Sequence, residues 1–434
     1  MSLIGVLSTD QMLNSIIKEE FDLKVKDSFI LQFLEDESSA MEFLNFDLPE
    51  IVIINFSDQN FPVGRILENI QNDSWLHNFG MVGLYDSEKH DEDELLKEYK
   101  NTNVLAMIDN MRVRSHILKC VQIIDQNRQI IFQKDLSDKL VDKSSGSFLI
   151  ENDVLAVSVY AGIAATMLAQ RGYINQDTKM RLQLGLSELI INGVEHGNCG
   201  ITFEEKSAYL ERGKSILDLI EEKCKDPEIA RKRVLLEWEI MEDGTKFVIK
   251  DEGEGFDVKK LKEDLEREGP LSLHGRGIKM AKHFASKLYY NSKGNKVTFI
   301  VKHDRQLPRK TPVGFSEEEV LLTKRGDIIF EQGESSDFLY YISSGQFSVF
   351  HNNRHVGVLS PEDIFMGEMS FLLNNRRSAT VRAESDGKLI KISRKSFISV
   401  VRNYPHYGIF LSKLLARKLV RANLLNALIE EQVT

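Results

Sequence analysis

The sequence predicts a multidomain chain: an α/β doubly wound parallel sheet, a mixed α+β segment, and a β jelly-roll closed by a C-terminal helix. Three observations predict it. At 434 residues the chain exceeds one ordinary domain, and length alone suggests about three. Residues 1–124 alternate continuously apolar runs with helical patterns, and residues 313–434 carry short apolar runs punctuated by Gly326, Gly333 and Gly345. With 42% hydrophobic and 28% charged residues the composition is that of a globular protein rather than a disordered one.

In the first part, "LIGVLS", "PEIVIINF", "FGMVGLY" and "VLAMID" are unbroken apolar runs, the pattern of strands buried on both faces of a parallel sheet. "DQMLNSIIKEEF", "VGRILENIQND" and "RVRSHILKCVQIIDQ" are amphipathic helices between or after them, so the whole is a βαβ pattern. Over this segment the pattern resembles the phospho-acceptor receiver domain of response regulators. That family has an acidic pair after its first strand, a phosphorylated Asp ending the third, and a Lys after the fifth. Here those places read Ser8-Thr9-Asp10, Asn55 and Met107-Ile108-Asp109. Asn cannot be the nucleophile, and most of the acid cluster for Mg²⁺ is gone. The expectation is a non-phosphorylatable, receiver-like interaction domain over 1–124, with Asp58 or Asp10 as the only substitute acids. A phosphorelay role is disfavoured by Asn55.

Residues 125–148, with "DQNRQ" and "DKSSGS", are polar and read as a connector. Residues 149–304 follow, with helices at 154–170 and 176–195 and strands "RVLLEWEI", "KFVIKD" and "KVTFIVKH". On the second helix Glu188 and Asn192 lie four apart, one turn from each other on one face. A carboxylate there can deprotonate a hydroxyl, and the Asn carbonyl can ligate Mg²⁺. Taken alone, the pair is as well a solvated helix face.

"DEGEGFD", Asp251 to Asp257, ends a strand with four acids and two glycines. Gly253 and Gly255 permit close approach of the backbone to a ligand, and Asp251 is an acceptor suited to an exocyclic amine. The calcium-loop pattern is not met, and a solvated glycine turn explains the stretch equally well on its own. "LHGRGIKMAKHFA" opens a helix with Gly275 and Gly277, whose free N–H groups can cradle phosphates, while Arg276 or Lys279 adds charge.

Order and spacing join these pieces. E-x-x-x-N on a helix, then a strand ending D-x-G-x-G-F, then G-x-G opening a helix, resembles the two-layer α+β ATP-binding fold of gyrase, heat-shock chaperone ATPases, histidine kinases and anti-sigma-factor serine kinases. The resemblance implies Glu188 as base and Asn192 as Mg²⁺ ligand. It implies Asp251 at the adenine amine, Gly253, Gly255 and Phe256 around the base, and Gly275, Arg276, Gly277 and Lys279 at the phosphates. The stretch 257–274 would be the lid. No phospho-acceptor His with an acidic neighbour lies upstream: His116 sits in "SHIL". The run "NGVEHGN" and the short lid are instead similar to the anti-sigma serine kinases, which phosphorylate small antagonist proteins. The insertion 199–232 departs from them and reads as two charged helices.

After the linker 305–312 comes the barrel segment. "DIFMGEMSFLLNNRRSATVRAES" places Gly367-Glu368 nine residues before Arg377-Ser378-Ala379-Thr380, pairing a carboxylate for a ribose hydroxyl with an Arg for a small anion. Over 313–434 this resembles the phosphate-binding cassette of cyclic-nucleotide-binding domains. The resemblance implies Gly367 and Glu368 at the ribose and Arg377 and Ser378, in the run with Ala379 and Thr380, at the cyclic phosphate; it leaves cAMP and cGMP both open. The final helix carries Leu411, Leu415, Ala422, Leu425 and Ile429 near one face, broad enough to lid the pocket, pair with a twin in a homodimer, or pack on the ATP-binding segment.

The net charge of −10 argues against non-specific nucleic-acid binding, and with no helix-turn-helix read between the barrel segment and Thr434 the expectation is that the chain does not bind DNA directly. The three cysteines are in no metal-ligand spacing, which fits a reducing cytosol, and neither signal peptide nor membrane-spanning run is found. The expectation is a cytoplasmic, cyclic-nucleotide-regulated serine/threonine kinase that uses ATP and Mg²⁺ and acts on an anti-sigma antagonist or sigma-factor-like regulator. The alternative is an ATP-dependent binding switch that sequesters its partner without phosphorylating it.

Overall fold

The computed structural model describes residues 2–25, 28–73, 77, 79–100, 102–128, 130, 145–258, 285–304, 311–416 and 418–419. The first sheet is parallel, in the order β2-β1-β3-β4-β5. Its strands are β1 (Ser2–Leu7), β2 (Phe29–Leu34), β3 (Ile51–Asn55), β4 (Gly80–Tyr85) and β5 (Val104–Asp109). Helices α1 (Gln11–Lys24), α2 (Glu37–Phe46), α3 (Val63–Asn72), α4 (Glu92–Glu98) and α5 (Val113–Gln126) alternate with them. Sequence patterning supplied four of these strands. β2 escaped it because "FILQFL" is an edge strand with only Leu34 fully buried, so it lacks the unbroken apolar run of its neighbours.

The strand that opens the second sheet, β6 (Ser145–Ile150), begins inside the stretch expected to be connector. The sheet is antiparallel, in the order β6-β7-β8-β10-β9, with β7 (Val234–Ile240), β8 (Gly244–Lys250), β9 (Lys287–Tyr290) and β10 (Lys296–Lys302). Two helices cover it: α6 (Val154–Gln170) and α7 (Gln176–Asn192), the latter running on through a π-helical turn, Gly193–Asn198. The insertion forms three short helices rather than two: α8 (Phe203–Glu211), α9 (Ile216–Lys223) and α10 (Pro227–Arg231). Pro227 at the first turn starts a helix of its own after the Asp226 cap.

α6, "VLAVSVYAGIAATMLAQ", is apolar all round, and such a helix must be covered on every side. One side packs under the second sheet with α7 and the other lies against β5, the edge strand of the first sheet. Gly162 sits at the closest approach: a Cβ there would collide with the carbonyl of Leu105. Val6, Ile53, Leu105, Ile163, Leu186, Leu236 and Phe299 therefore belong to one continuous core.

The third part is a barrel of two four-stranded sheets, β11-β18-β13-β16 and β12-β17-β14-β15. It comprises β11 (Glu319–Thr323), β12 (Ile328–Phe330), β13 (Phe338–Ser344), β14 (Phe347–His351), β15 (Arg354–Leu359), β16 (Phe365–Met366), β17 (Thr380–Ala383) and β18 (Gly387–Ser393). Helix α11 (Glu368–Leu373) interrupts it, and α12 (Arg394–Asn403) leads to a final helix described over 405–416 and 418–419. That helix docks on the first sheet's helices: the Tyr407 hydroxyl donates to Asp73 at 2.8 Å and Lys413 Nζ to the Asp47 carbonyl at 2.7 Å. Among the described residues no helix is long and apolar enough to cross a membrane.

Replacing Gly162 with Val forces α6 away from β5. The expected cost is about 1–3 kcal/mol, read as a lowered urea midpoint for the unit holding the first two sheets. An unchanged midpoint would show that the close approach is not a constraint.

Candidate functional site

Two sites emerge, one in the second sheet's unit and one in the barrel. In the first, Glu188 is exposed near the C-terminal end of α7 and Asn192, half-buried, ends it. The π-helical turn then carries the chain to Asp251 at the end of β8. Gly197 lies against the Asp251 side chain, and Gly253 lies against the Gly197 backbone; a Cβ on either glycine would collide. Asn198, buried, holds both sides: its Oδ1 accepts from the Glu252 N–H at 2.9 Å and its Nδ2 donates to Asn152 Oδ1 at 2.8 Å. Lys293 Nζ donates to the Gly253 carbonyl at 3.0 Å, and its own carbonyl accepts the Phe256 N–H at 3.1 Å.

The turn that follows Asn192 is thus packed through Gly197 on the Asp251 side chain and the Gly253 backbone. Burial raises the Asp251 carboxyl above its ordinary value, against the lowering effect of the Gly253 N–H and of Lys293 and Lys232. Gly255, at φ 82°, and Phe256 are exposed, with Phe256 edge-on to Tyr290 at 5.1 Å. Glu252 and Glu254 face solvent. Gly275, Arg276, Gly277 and Lys279, with most of the expected lid, lie outside the described residues.

Gly197 and Gly253 let the turn after α7 and the loop after β8 pack in direct contact, and Asp251 at that seam is an acceptor of the kind a base's exocyclic amine needs. The donor that the sequence offers to Mg²⁺ is the Asn192 side-chain oxygen, and among the described residues no group of three His, Cys, Asp or Glu gathers as a metal cluster. One protein oxygen suits an ion that keeps its waters and takes phosphate oxygens. Gly197 and Asn198 were not singled out from the sequence, although both lie in "NGVEHGN". Glu195 in the same run is buried and pairs with Lys206 of the insertion at 2.6 Å.

In the barrel, Gly367 has φ 75°, a left-handed conformation that lets α11 start abruptly, and packs on Arg377. Glu368 is 7% exposed and accepts from Lys418 Nζ of the final helix at 2.6 Å. Arg377, 3% exposed, turns its guanidinium inward over the Phe330 ring at 4.3 Å. It donates to the Gly367 carbonyl at 2.9 Å, to Ser370 Oγ at 3.1 Å and to the Phe338 carbonyl, while its Nε has no partner among the described residues. Ser378 is exposed; Ala379 and Thr380 are half-buried, and Thr380 Oγ1 accepts the Gln332 N–H at 3.0 Å. The structure therefore brings all six cassette residues together, with Arg377 and Glu368 both engaged within the chain.

At the ends of β1 and β3 the polar side chains of the first sheet bond to one another. Asn55 is buried and donates to Ser8 Oγ at 3.3 Å. Asp58 accepts from Thr9 N–H and Oγ1 at 2.5 and 2.8 Å, bonds that outweigh partial burial and hold its carboxyl below the ordinary value. Asp10 caps α1.

Comparison with known proteins agrees with two of the three parts. Residues 150–301 match the family described as Histidine kinase-like ATPase domain, and residues 321–404 match Cyclic nucleotide-binding domain. The chain is 32% identical over 122 residues to a Cyclic AMP receptor protein of Thermus thermophilus, covering 27% of this chain and 56% of that protein. It is 39% identical over 72 residues to a cAMP-dependent protein kinase type II regulatory subunit of Drosophila melanogaster, 17% of this chain and 19% of the relative. A cGMP-dependent protein kinase of Plasmodium berghei is 34% identical over 79 residues, 18% of this chain and 9% of the relative. The crystal structure of the Thermus thermophilus Catabolite Activator Protein matches with 31% identity and a TM-score of 0.26, over 27% of this chain and 57% of that one. The chain thus spans little more than half the length of the first of these curated relatives, and far less of the others. It contains a histidine-kinase-like ATPase domain followed by a cyclic-nucleotide-binding domain, each built on the residues described above.

Proposed function

We propose that this chain is a cyclic-nucleotide-regulated protein kinase that transfers the γ-phosphoryl group of ATP to a serine or threonine of a small protein partner. The partner is of the antagonist type that anti-sigma kinases modify. The observation that supports the reading is the packing of Gly197, in the turn after the helix that bears Glu188 and Asn192, on the Asp251 side chain and the Gly253 backbone at the end of β8. Asp251 accepts from the adenine amine, and Gly253, Gly255 and Phe256 shape the base pocket. Asn192 would hold Mg²⁺ together with phosphate oxygens, and the ion would neutralise charge on the phosphates. The partner's hydroxyl oxygen bonds to the γ-phosphorus as the bond from γ-phosphorus to the bridging oxygen breaks, releasing ADP, and Glu188 takes the hydroxyl proton. Gly275, Arg276, Gly277 and Lys279 complete the phosphate end.

Regulation follows from the barrel. A cyclic nucleotide's ribose hydroxyl competes with Lys418 for Glu368, and its phosphate calls on Arg377 and Ser378. The helix that carries Lys418 also carries Tyr407 and Lys413, which touch the first, receiver-like unit. Ligand capture at Glu368 therefore bears directly on a helix that joins the units, to the extent that ligand affinity differs between the two states. The first unit, with Asn55 where a phospho-acceptor Asp would stand, serves contacts rather than phosphorylation.

Labelled phosphate from ATP is expected on serine or threonine of a protein captured from the native cytoplasm, and Glu188→Ala removes that label while ATP still binds. Equal labelling by this variant would end the assignment of Glu188. ATP bound by the wild type with no label transferred to any captured protein would favour the sequestering switch.

Asp251→Asn turns an amide donor toward the adenine amine and is expected to weaken ATP binding at least tenfold, with cyclic-nucleotide affinity unchanged. Because burial raises the Asp251 carboxyl, wild-type ATP affinity falls on acidification at a pH above the ordinary 3.8 of an aspartate, and titration calorimetry across pH reads it. An affinity flat across that range would contradict the role.

Lys418→Gln frees Glu368 from a half-buried ion pair. Cyclic-nucleotide affinity should rise about fivefold, measured by fluorescence competition. Unchanged or weaker binding would show that the pair does not compete with ligand.

A further inference from the structure

Edge strands expose unpaired carbonyls, and the first sheet ends on such a strand, β5. Side chains from the helix that bears Glu188 meet an acceptor on it and acceptors on the two residues just before it. Gln183 Nε2 donates to the Leu105 carbonyl at 3.3 Å, and Lys179 Nζ donates to the Thr102 carbonyl at 3.2 Å and to Asn103 Oδ1 at 3.3 Å. Thr166 of α6 reaches the same Asn103 oxygen at 3.1 Å. Both α7 side chains are buried, Lys179 to 4% exposure, and among the described residues no carboxylate pairs with the ammonium.

A buried lysine with only neutral partners costs stability, and burial pushes this one down to about 8. Nearby, Lys100 is committed to Asp177 at 2.7 Å, and the Tyr99 hydroxyl is pushed up to about 12 by burial and Glu98. A methionine or leucine would fill the same space at lower cost, so packing alone does not call for a lysine.

Helical geometry says what the pair constrains. At 3.6 residues per turn, Lys179 and Gln183 lie about 40° apart on one face, while Glu188 stands roughly 140–180° away from them on the opposite face. Gln183 and Glu188 are separated by about 7.5 Å along the axis. Any roll or slide of α7 against β5 moves Glu188 in full measure.

We infer that Lys179 and Gln183 are positioning residues of the ATP site: by hydrogen-bonding the edge strand of the first sheet they fix the roll and register of α7, and hence the place of Glu188 and Asn192. The first unit is then a structural wall of the ATP-binding unit and not an appendage. The link to catalysis rests on the kinase reading above; the mechanical claim does not.

The test compares full-length wild type, Lys179→Met, Gln183→Leu and, as control, Arg181→Ala, which changes an exposed residue of the same helix. Hydrogen–deuterium exchange over residues 186–198 reads helix order, and labelled-phosphate transfer and ATP affinity are measured alongside. Cyclic-nucleotide affinity certifies that the separate barrel is folded. Both clamp variants are expected to exchange at least tenfold faster over 186–198 and to lose at least tenfold in transfer rate, with ATP affinity changing far less, since Asp251 is untouched; Arg181→Ala matches wild type. Wild-type exchange and rate in both clamp variants would overturn the inference. If Lys179→Met fails to fold, Gln183→Leu, which removes a single hydrogen bond, carries the test. If wild type neither binds ATP nor transfers phosphate, the kinase reading falls, and exchange over 186–198 still decides the clamp.

Discussion

The contact on which the rest depends is the seam between α6 and β5. A parallel sheet with a free edge invites unwanted pairing, and an all-apolar helix cannot face water. Each solves the other's difficulty. Gly162 allows the helix backbone against the Leu105 carbonyl, which Gln183 also donates to, and Lys179 takes the Thr102 carbonyl just before the strand. Two sheets of opposite kind, one parallel and one antiparallel, so come to share a single core. The final helix of the third unit docks on the far side of the first sheet, at Asp47 and Asp73. The first unit thus stands between the other two, touching α7 on one flank and the barrel's helix on the other.

Both candidate ligand sites are built from groups that already have partners. Around Asp251, backbone meets backbone, and Asn198 spends both ends of its amide on the walls. In the cassette, Arg377 spends its donors on Gly367, Ser370 and Phe338, and Glu368 is matched to Lys418. A buried charge left without partners is costly, so these internal bonds stabilise the ligand-free chain. They also oppose the ligand, which must offer Arg377 and Glu368 better partners than the chain does. In the function proposed above, the free energy of that exchange would couple the cassette to the final helix.

How far the sequence spoke depended on the range of the interaction. Unbroken apolar runs identified β1, β3, β4 and β5 because those strands are buried on both faces, β5 at the edge included, since α6 lies against it, whereas the edge strands β2 and β9 have alternately exposed residues and lack that pattern. The pair Glu188–Asn192 and the stretch Asp251–Phe256 were legible because chemistry and spacing sit within a few residues. Gly197 was not, because its reason for being glycine is Asp251, more than fifty residues later. Lys418 was read as part of an apolar helix, since nothing in its neighbours points to Glu368, fifty residues earlier. Lys179 looks like any lysine on a helix; only the assembled seam shows that it is buried.

The departures in the first unit are consistent with that mechanical place. A phospho-acceptor pocket needs several carboxylates held apart around a cation, an arrangement that repels itself without the ion. Here the corresponding positions form a hydrogen-bonded set: Asn55 donates to Ser8, the Ser8 and Thr9 hydroxyls and the Thr9 N–H donate to Asp58, and Asp10 caps α1. The Asp58 carboxylate is thus held by donors of the chain itself. Such a set favours a single arrangement. A body that holds α7 on one side and the final helix on the other must keep those two faces in constant relation, and a pocket with one arrangement serves that end better than one with two.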